Sequence, residues 1–164
     1  IKAMGIHKKR LSKEEALQKL RHYCGYQERC HQEVKEKLYG FGLYRQDVED
    51  AIAVLIEEDY LNEERYACAF AGGHFRSKQW GRVKITHARK QKGVSPYCGE
   101  KAMQAIDEDA YTKTIRELGE KKMDQLKGEG LQAYQKKFKV VQYMMQRGFE
   151  APAVQAALAE LTTP

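Results

Sequence analysis

Apolar residues recur along this chain at intervals of three and four, the spacing that lines one face of an α-helix. Ala16, Leu17, Leu20 and Cys24 form one stripe, Val34 and Leu38 a second, and Val48, Ala51, Ile52, Leu55 and Ile56 a third. Alternating β-branched runs are missing, and proline stands only at Pro96, Pro152 and Pro164, so the pattern predicts an all-α chain. Ser12 opens the first helix, with Glu15 completing a capping box and Leu11 placed as its staple. A break at Gly25 leads to the second helix, which ends at the Gly40/Gly42 turn, where glycine tolerates positive φ. Asn62 starts the next group, with Leu61 and Tyr66 as the staple pair and Ala67, Phe70 and Ala71 as its face. A helix follows Trp80-Gly81, and Ser95 caps another, with Pro96 where a missing N–H does no harm. Further on, Ile115, Leu118 and Leu126 mark one stripe. Tyr134, Phe138, Val141 and Met145 mark the next across Gly128-Glu129-Gly130, and these are expected to pack in the core; a docking surface at Met144 and Met145 is the other reading.

These stripes repeat. Gly42-Leu43, Gly93-Val94 and Gly148-Phe149 are offset by 51 and then 55 residues. At the same offsets Val34, Ile85 and Val140 coincide, as do Ala51, Ala102 and Ala157, Ile52, Met103 and Leu158, and Leu55, Ile106 and Leu161. Small or apolar matches at fixed offsets identify three copies of one three-helix unit. The expected division is an N-terminal tail over 1–11 and repeats over 12–61, 62–107 and 108–164, the last with longer first and second helices. Units this small bury little alone and must stack, which predicts an elongated, curved molecule.

Composition narrows the class. The chain has 164 residues, 42% hydrophobic and 32% charged, with net charge +6. It has no stretch of about 20 apolar residues to span a bilayer and no charged-then-apolar leader. The opening residues, which begin at Ile1 rather than Met, are read as either an added or a processed remnant and carry little weight. Cys24, Cys30, Cys68 and Cys98 form no Cys-x-x-Cys pair and read as reduced thiols of a cytoplasmic protein. Charge is sharply segregated. Asp47, Glu49, Asp50, Glu57, Glu58, Asp59, Glu63 and Glu64 precede a span to Glu100 that holds no acid but contains Arg65, Arg76, Lys78, Arg82, Lys84, Arg89, Lys90 and Lys92. Such a field suits a polyanion or an acidic protein surface, although a basic helix face is also simply a solvated one.

Catalytic constellations are not visible. The histidines form no metalloprotease motif, and neither a P-loop nor a dinucleotide fingerprint is present. His22, Cys24, Cys30 and His31 cluster, but their spacing matches no usual zinc finger, so neither metal nor cofactor is expected. Binding is better supported: cations with Phe75 and Trp80 interleaved suit phosphate contacts plus base stacking. Trp80 alternatively fills a gap between helices.

The run Asp59-Tyr60-Leu61-Asn62-Glu63-Glu64-Arg65-Tyr66-Ala67, followed by Trp80-Gly81-Arg82-Val83-Lys84-Ile85 and Lys92-Gly93-Val94, resembles the signature of the RecX family, modulators of the RecA recombinase. Tyr23-Cys24-Gly25-Tyr26-Gln27-Glu28-Arg29-Cys30 and Val34-Lys35-Glu36-Lys37-Leu38 are similar to that family's first unit, and the likeness extends from Leu11 to Leu161. Two positions depart from the pattern: Asn62 stands where Asp is usual, and Arg89 occupies a position, four before the glycine, that holds Leu38 and Met144 in the other repeats. Either Arg89 lays its stem over the core or the helix turns to bury Ala88. The resemblance implies a monomeric regulator without catalysis, which lies along the groove of the RecA filament. It would inhibit recombinase, ATPase and coprotease activities and so modulate recombinational repair and the SOS response. Single- and double-stranded DNA would be touched more weakly or through the filament. Arg76, Lys78, Trp80, Arg82, Lys84, Lys90 and Lys92, with Lys136, Lys137 and Lys139, are the expected contact residues. A stand-alone DNA-binding protein is the alternative.

Overall fold

The computed structural model describes residues 9–162. Residues 1–8 of the expected tail, and the side chain of Leu161, lie outside the described residues. Among the described residues there are nine helices and no strand: α1 (Lys13–Tyr26), α2 (His31–Gly40), α3 (Arg45–Glu57), α4 (Glu63–Lys78), α5 (Arg82–Gln91), α6 (Pro96–Gln104), α7 (Glu108–Gln125), α8 (Ala133–Gln146) and α9 (Ala151–Thr162). They follow one another as three triplets.

Local chemistry sets the helix starts. Ser12 Oγ accepts the Glu15 amide at 3.1 Å, Asn62 Oδ1 the Arg65 amide at 2.9 Å, and Ser95 Oγ the Cys98 amide at 3.3 Å. Asp107 does the same for Ala110 at 2.9 Å, opening α7. The three repeat glycines Gly42, Gly93 and Gly148 have φ of +84°, +72° and +92°, a left-handed turn that glycine adopts without the penalty a Cβ would bring. One residue class marks the repeat inside as well: Val34, Ile85 and Val140 are all wholly buried. Gly25 does not end a helix. Helix α1 runs through it to Tyr26, because a single glycine costs only about 1 kcal/mol and the Ala16–Leu17–Leu20–Cys24 face holds the helix in place.

The structure divides into two compact units. Among the described residues, one holds 9–66 together with Lys92–Val94; the other holds Ala67–Gln91 and 95–162. In the first, α1 contributes Ala16, Leu17, Leu20 and Cys24, α2 Val34 and Leu38, and α3 Val48, Ala51 and Leu55 to one core. Ile56, expected on that face, is exposed instead. In the second, Tyr111 lies between Phe75 and Phe149, with ring centroids 5.7 and 5.4 Å away.

Two side-chain placements correct the expectations. Tyr134, Phe138 and Met145 do not pack in the core; they are 71%, 62% and 52% exposed, while Val140 and Met144 are buried. Helix α8 therefore carries an apolar face beyond the one its neighbours cover, and Met144 belongs to the covered one. Arg89 itself is buried rather than Ala88, and it goes in head first: its Nη1 donates to the Ser95 carbonyl at 3.0 Å. Room for the guanidinium comes from Gly99, where a Cβ would meet Arg89 Cζ at 2.3 Å.

A candidate nucleoprotein interface around Trp80

The start of α5 is fixed by the turn between α8 and α9. The first amides of a helix have no partner within it. Here Gly81 N donates to Arg147 O at 2.8 Å, Arg82 N to the Tyr111 hydroxyl at 3.1 Å, and Val83 N to Gly148 O at 2.9 Å. The approach leaves no space for a side chain at Gly81, where a Cβ would lie 2.3 Å from the Gly148 carbonyl carbon. Glycine after Trp80 is thus a requirement of packing.

Trp80 is half-buried and stands at the end of an aromatic run. The Phe70 and His74 rings lie 4.1 Å apart, and His74 and Trp80 4.7 Å apart. Two lysines reach over the indole, Lys84 at 4.6 Å and Lys78 at 5.0 Å from the ring. Arg147 joins them by donating from Nη2 to the Lys78 carbonyl at 2.7 Å. No carboxylate of a described residue pairs with Lys78, Lys84 or Arg147, so two lysines over the indole and the arginine bonded to the Lys78 backbone, whose own guanidinium lies 5.6 Å over the Tyr143 ring, keep their charge without local neutralisation. Cations held against an aromatic face form a combination that contacts phosphate and stacks on planar groups.

The other expected contact residues are distributed differently. Arg76 is exposed at the end of α4, and its guanidinium folds back over Gly72, where a Cβ would meet Nη1 at 2.7 Å. Lys90 is exposed and lines a shallow hollow with Val83, Thr86 and His87. Arg82 points inward: its guanidinium lies 3.8 Å over the Tyr111 ring and pairs with Glu108 at 2.6 Å and Glu150 at 3.4 Å. Lys92 belongs to the first unit, 3.9 Å from Glu33, and Lys139 lies 3.8 Å from Glu129. Lys136 is half-buried and Lys137 exposed on α8, the helix that carries the Tyr134–Phe138–Met145 face. Arg147 escaped the sequence reading. Its one available signal was its place beside the third repeat glycine, the turn on which α5 docks.

Among the described residues no group of three or more His, Cys, Asp or Glu side chains could hold a metal ion. The four cysteines are free thiols, and burial raises the Cys24 pKa above its ordinary value. No helix among the described residues is long and apolar enough to cross a membrane.

Residues 62–103 match the family model for the second three-helix domain of RecX, and residues 109–158 match that for the third. Together they cover more than half of the chain. A protein of Prosthecochloris aestuarii named Regulatory protein RecX is 29% identical over 141 residues, 86% of this chain and 89% of that protein. The protein of that name from Clostridium perfringens strain 13 is 29% identical over 130 residues, 79% of this chain. The chain spans only 60% of that relative's length. Among solved structures, RecX from Lactobacillus salivarius superposes with a TM-score of 0.83 at 21% identity, covering 91% of this chain and 96% of the other. A second structure of regulatory protein RecX gives 0.77 at 17% identity, covering 90% and 71%. The tandem three-helix fold is therefore that of RecX structures, and with both family domains in order the chain belongs to the RecX family.

Proposed function

We propose that this chain is a regulator that binds the RecA nucleoprotein filament along its groove, inhibits its recombinase, ATPase and coprotease activities, and so modulates recombinational repair and the SOS response. The observation that carries the reading is the unneutralised pair Lys78 and Lys84 over Trp80, with Arg147 bonded to the Lys78 backbone, in a member of the RecX family. A filament presents protein and nucleic acid together, and the chain has a surface for each. The Trp80 cluster, with Arg76 and Lys90, suits the phosphate backbone. The exposed Tyr134–Phe138–Met145 face, flanked by Lys137, suits the protein. In this reading the repeats over 12–61, 62–107 and 108–164 act as successive contact modules against a helical polymer, and no chemistry is required of them.

The test is a titration of this protein into a RecA ATPase assay on single-stranded DNA. Lys78→Glu/Lys84→Glu replaces two exposed side chains without touching the Arg82 network. It should raise the concentration needed for half inhibition by about tenfold and flatten its salt dependence. Inhibition equal to wild type at every salt concentration would remove the cluster from the interface. No inhibition by the wild-type protein, with equally tight binding to naked DNA, would favour a stand-alone DNA-binding protein.

A further inference from the structure

The first unit holds a groove that neither matched family domain reaches. It runs between α1 and α2 as two adjoining hollows of ≈ 530 and ≈ 590 Å³, which share Lys19, Tyr23, Lys37 and Phe41. The two rings form its floor and the two lysines its walls: Lys19 Nζ lies 5.9 Å from the Phe41 ring, and Lys37 Nζ 5.0 Å from the Tyr23 ring. The Arg29 guanidinium stacks on Tyr23 at 3.7 Å, anchored by its Nε donating to the Tyr23 carbonyl at 3.2 Å. Beside them Tyr26 leaves its ring 79% exposed.

We propose that this groove is a binding site for single-stranded nucleic acid, with Lys19 and Lys37 on its phosphates and Tyr26 and the Arg29–Tyr23 stack under its bases. Charge and shape both point to this occupant. Two acids line the groove, but Glu33 is already engaged by the Cys30 amide at 3.3 Å and by Lys92 at 3.9 Å. Glu36 therefore stands alone against Lys9, Lys19, Arg29 and Lys37. An anion is drawn in by that balance. Two adjoining hollows give room for more than a single phosphate, and accessible rings suit a ligand with open planar faces. A duplex keeps those faces stacked inside; a single strand offers them.

The site does not depend on the filament reading, because its test contains no recombinase. Binding of the full chain to fluorescein-labelled oligo(dT) is followed by anisotropy as salt is varied. Tyr26→Ala, at an exposed position, should weaken binding about tenfold, the loss of one stacked base. Lys19→Gln/Lys37→Gln should lower the slope of log K against log salt by about 1.4, two phosphate contacts on a single strand. Photocross-linking with 5-iodouracil in the oligonucleotide should label the peptide that carries Tyr23 and Tyr26. Wild-type affinity and slope in both variants would overturn the assignment. So would cross-links confined to α4–α9, an equal loss on a blunt duplex, or displacement of the strand by an acidic peptide at matched charge.

Discussion

Tyr111 and Arg82 together decide how α5 is held. The Tyr111 hydroxyl accepts the Arg82 backbone N–H and donates to a Glu150 carboxylate oxygen, while the Arg82 guanidinium covers the ring. Burial raises the Tyr111 pKa above its ordinary value of about 10, and the bond to Glu150 adds to the effect. A raised acid pKa in the folded state means that the unfolded chain releases the proton first. The stabilisation is therefore complete below about pH 10 and is lost as pH climbs from there towards the folded pKa. Urea midpoints should fall between pH 9 and 11 (roughly the span over which a free tyrosine ionises) by more in wild type than in Tyr111→Phe. The same variant should cost about 1–2 kcal/mol at neutral pH, since it leaves Glu150 and the Arg82 amide short of a partner. Arg82 was legible only as one cation in a basic run. Its partners are Glu108 at the start of α7 and Glu150 just before α9, and pairing across that sequence distance is settled by packing, not by local pattern.

At the scale of a helix pair, the repeat explains its own exception. Positions 38, 89 and 144 hold Leu, Arg and Met, and positions 48, 99 and 154 hold Val, Gly and Val; all six are buried. Where the second repeat gains the larger, charged Arg89, it loses a side chain at Gly99, and the guanidinium occupies the vacated space. Gly99→Val should therefore destabilise the protein by about 2–3 kcal/mol through overpacking, measured by urea denaturation. Adding Arg89→Leu should recover much of that loss, giving a coupling of at least about 1 kcal/mol in the double-mutant cycle. Additive effects would mean that the two positions do not share this space. Helix α8 teaches the complementary lesson. Its sequence offers two adjacent apolar faces, Val140 with Met144 and Tyr134 with Phe138, Val141 and Met145, and helical periodicity fits either. The bulkier stripe was the natural choice for the core, yet the smaller one packs. Periodicity fixes that a helix forms and which residues share a face; neighbours fix which face is covered.

Over the whole molecule the segregated charges have unequal fates. Much of the acidic block is consumed within the first unit: Asp47 meets Arg10 at 3.7 Å, Asp50 Lys13 at 3.9 Å, Glu58 Arg21 at 2.8 Å and Asp59 Arg65 at 3.1 Å. The basic block keeps Lys78, Lys84 and Lys90 without such partners, so its positive charge is not cancelled locally as much of the acidic block's charge is. If the filament is held by both charge and apolar contact, the two contributions separate by salt. Phe138→Ser/Met145→Ser, at exposed positions, should leave the thermal midpoint within a few degrees of wild type. It should weaken inhibition of RecA ATPase to the same degree at low and high salt, unlike the Lys78/Lys84 variant. The sequence by itself determined the helices, their caps, the three glycine turns and the tandem repeat, because each depends on residues within a few positions or on a fixed offset. It also carried the family signature and the basic run. Only the tertiary structure decided that Arg82 is a packing residue, that Arg147 completes the Trp80 cluster, that Arg89 is received by Gly99, and that α8 leaves its aromatic face open. Those outcomes depend on side chains brought together from distant positions, where volume and charge are balanced between neighbours that no local pattern identifies.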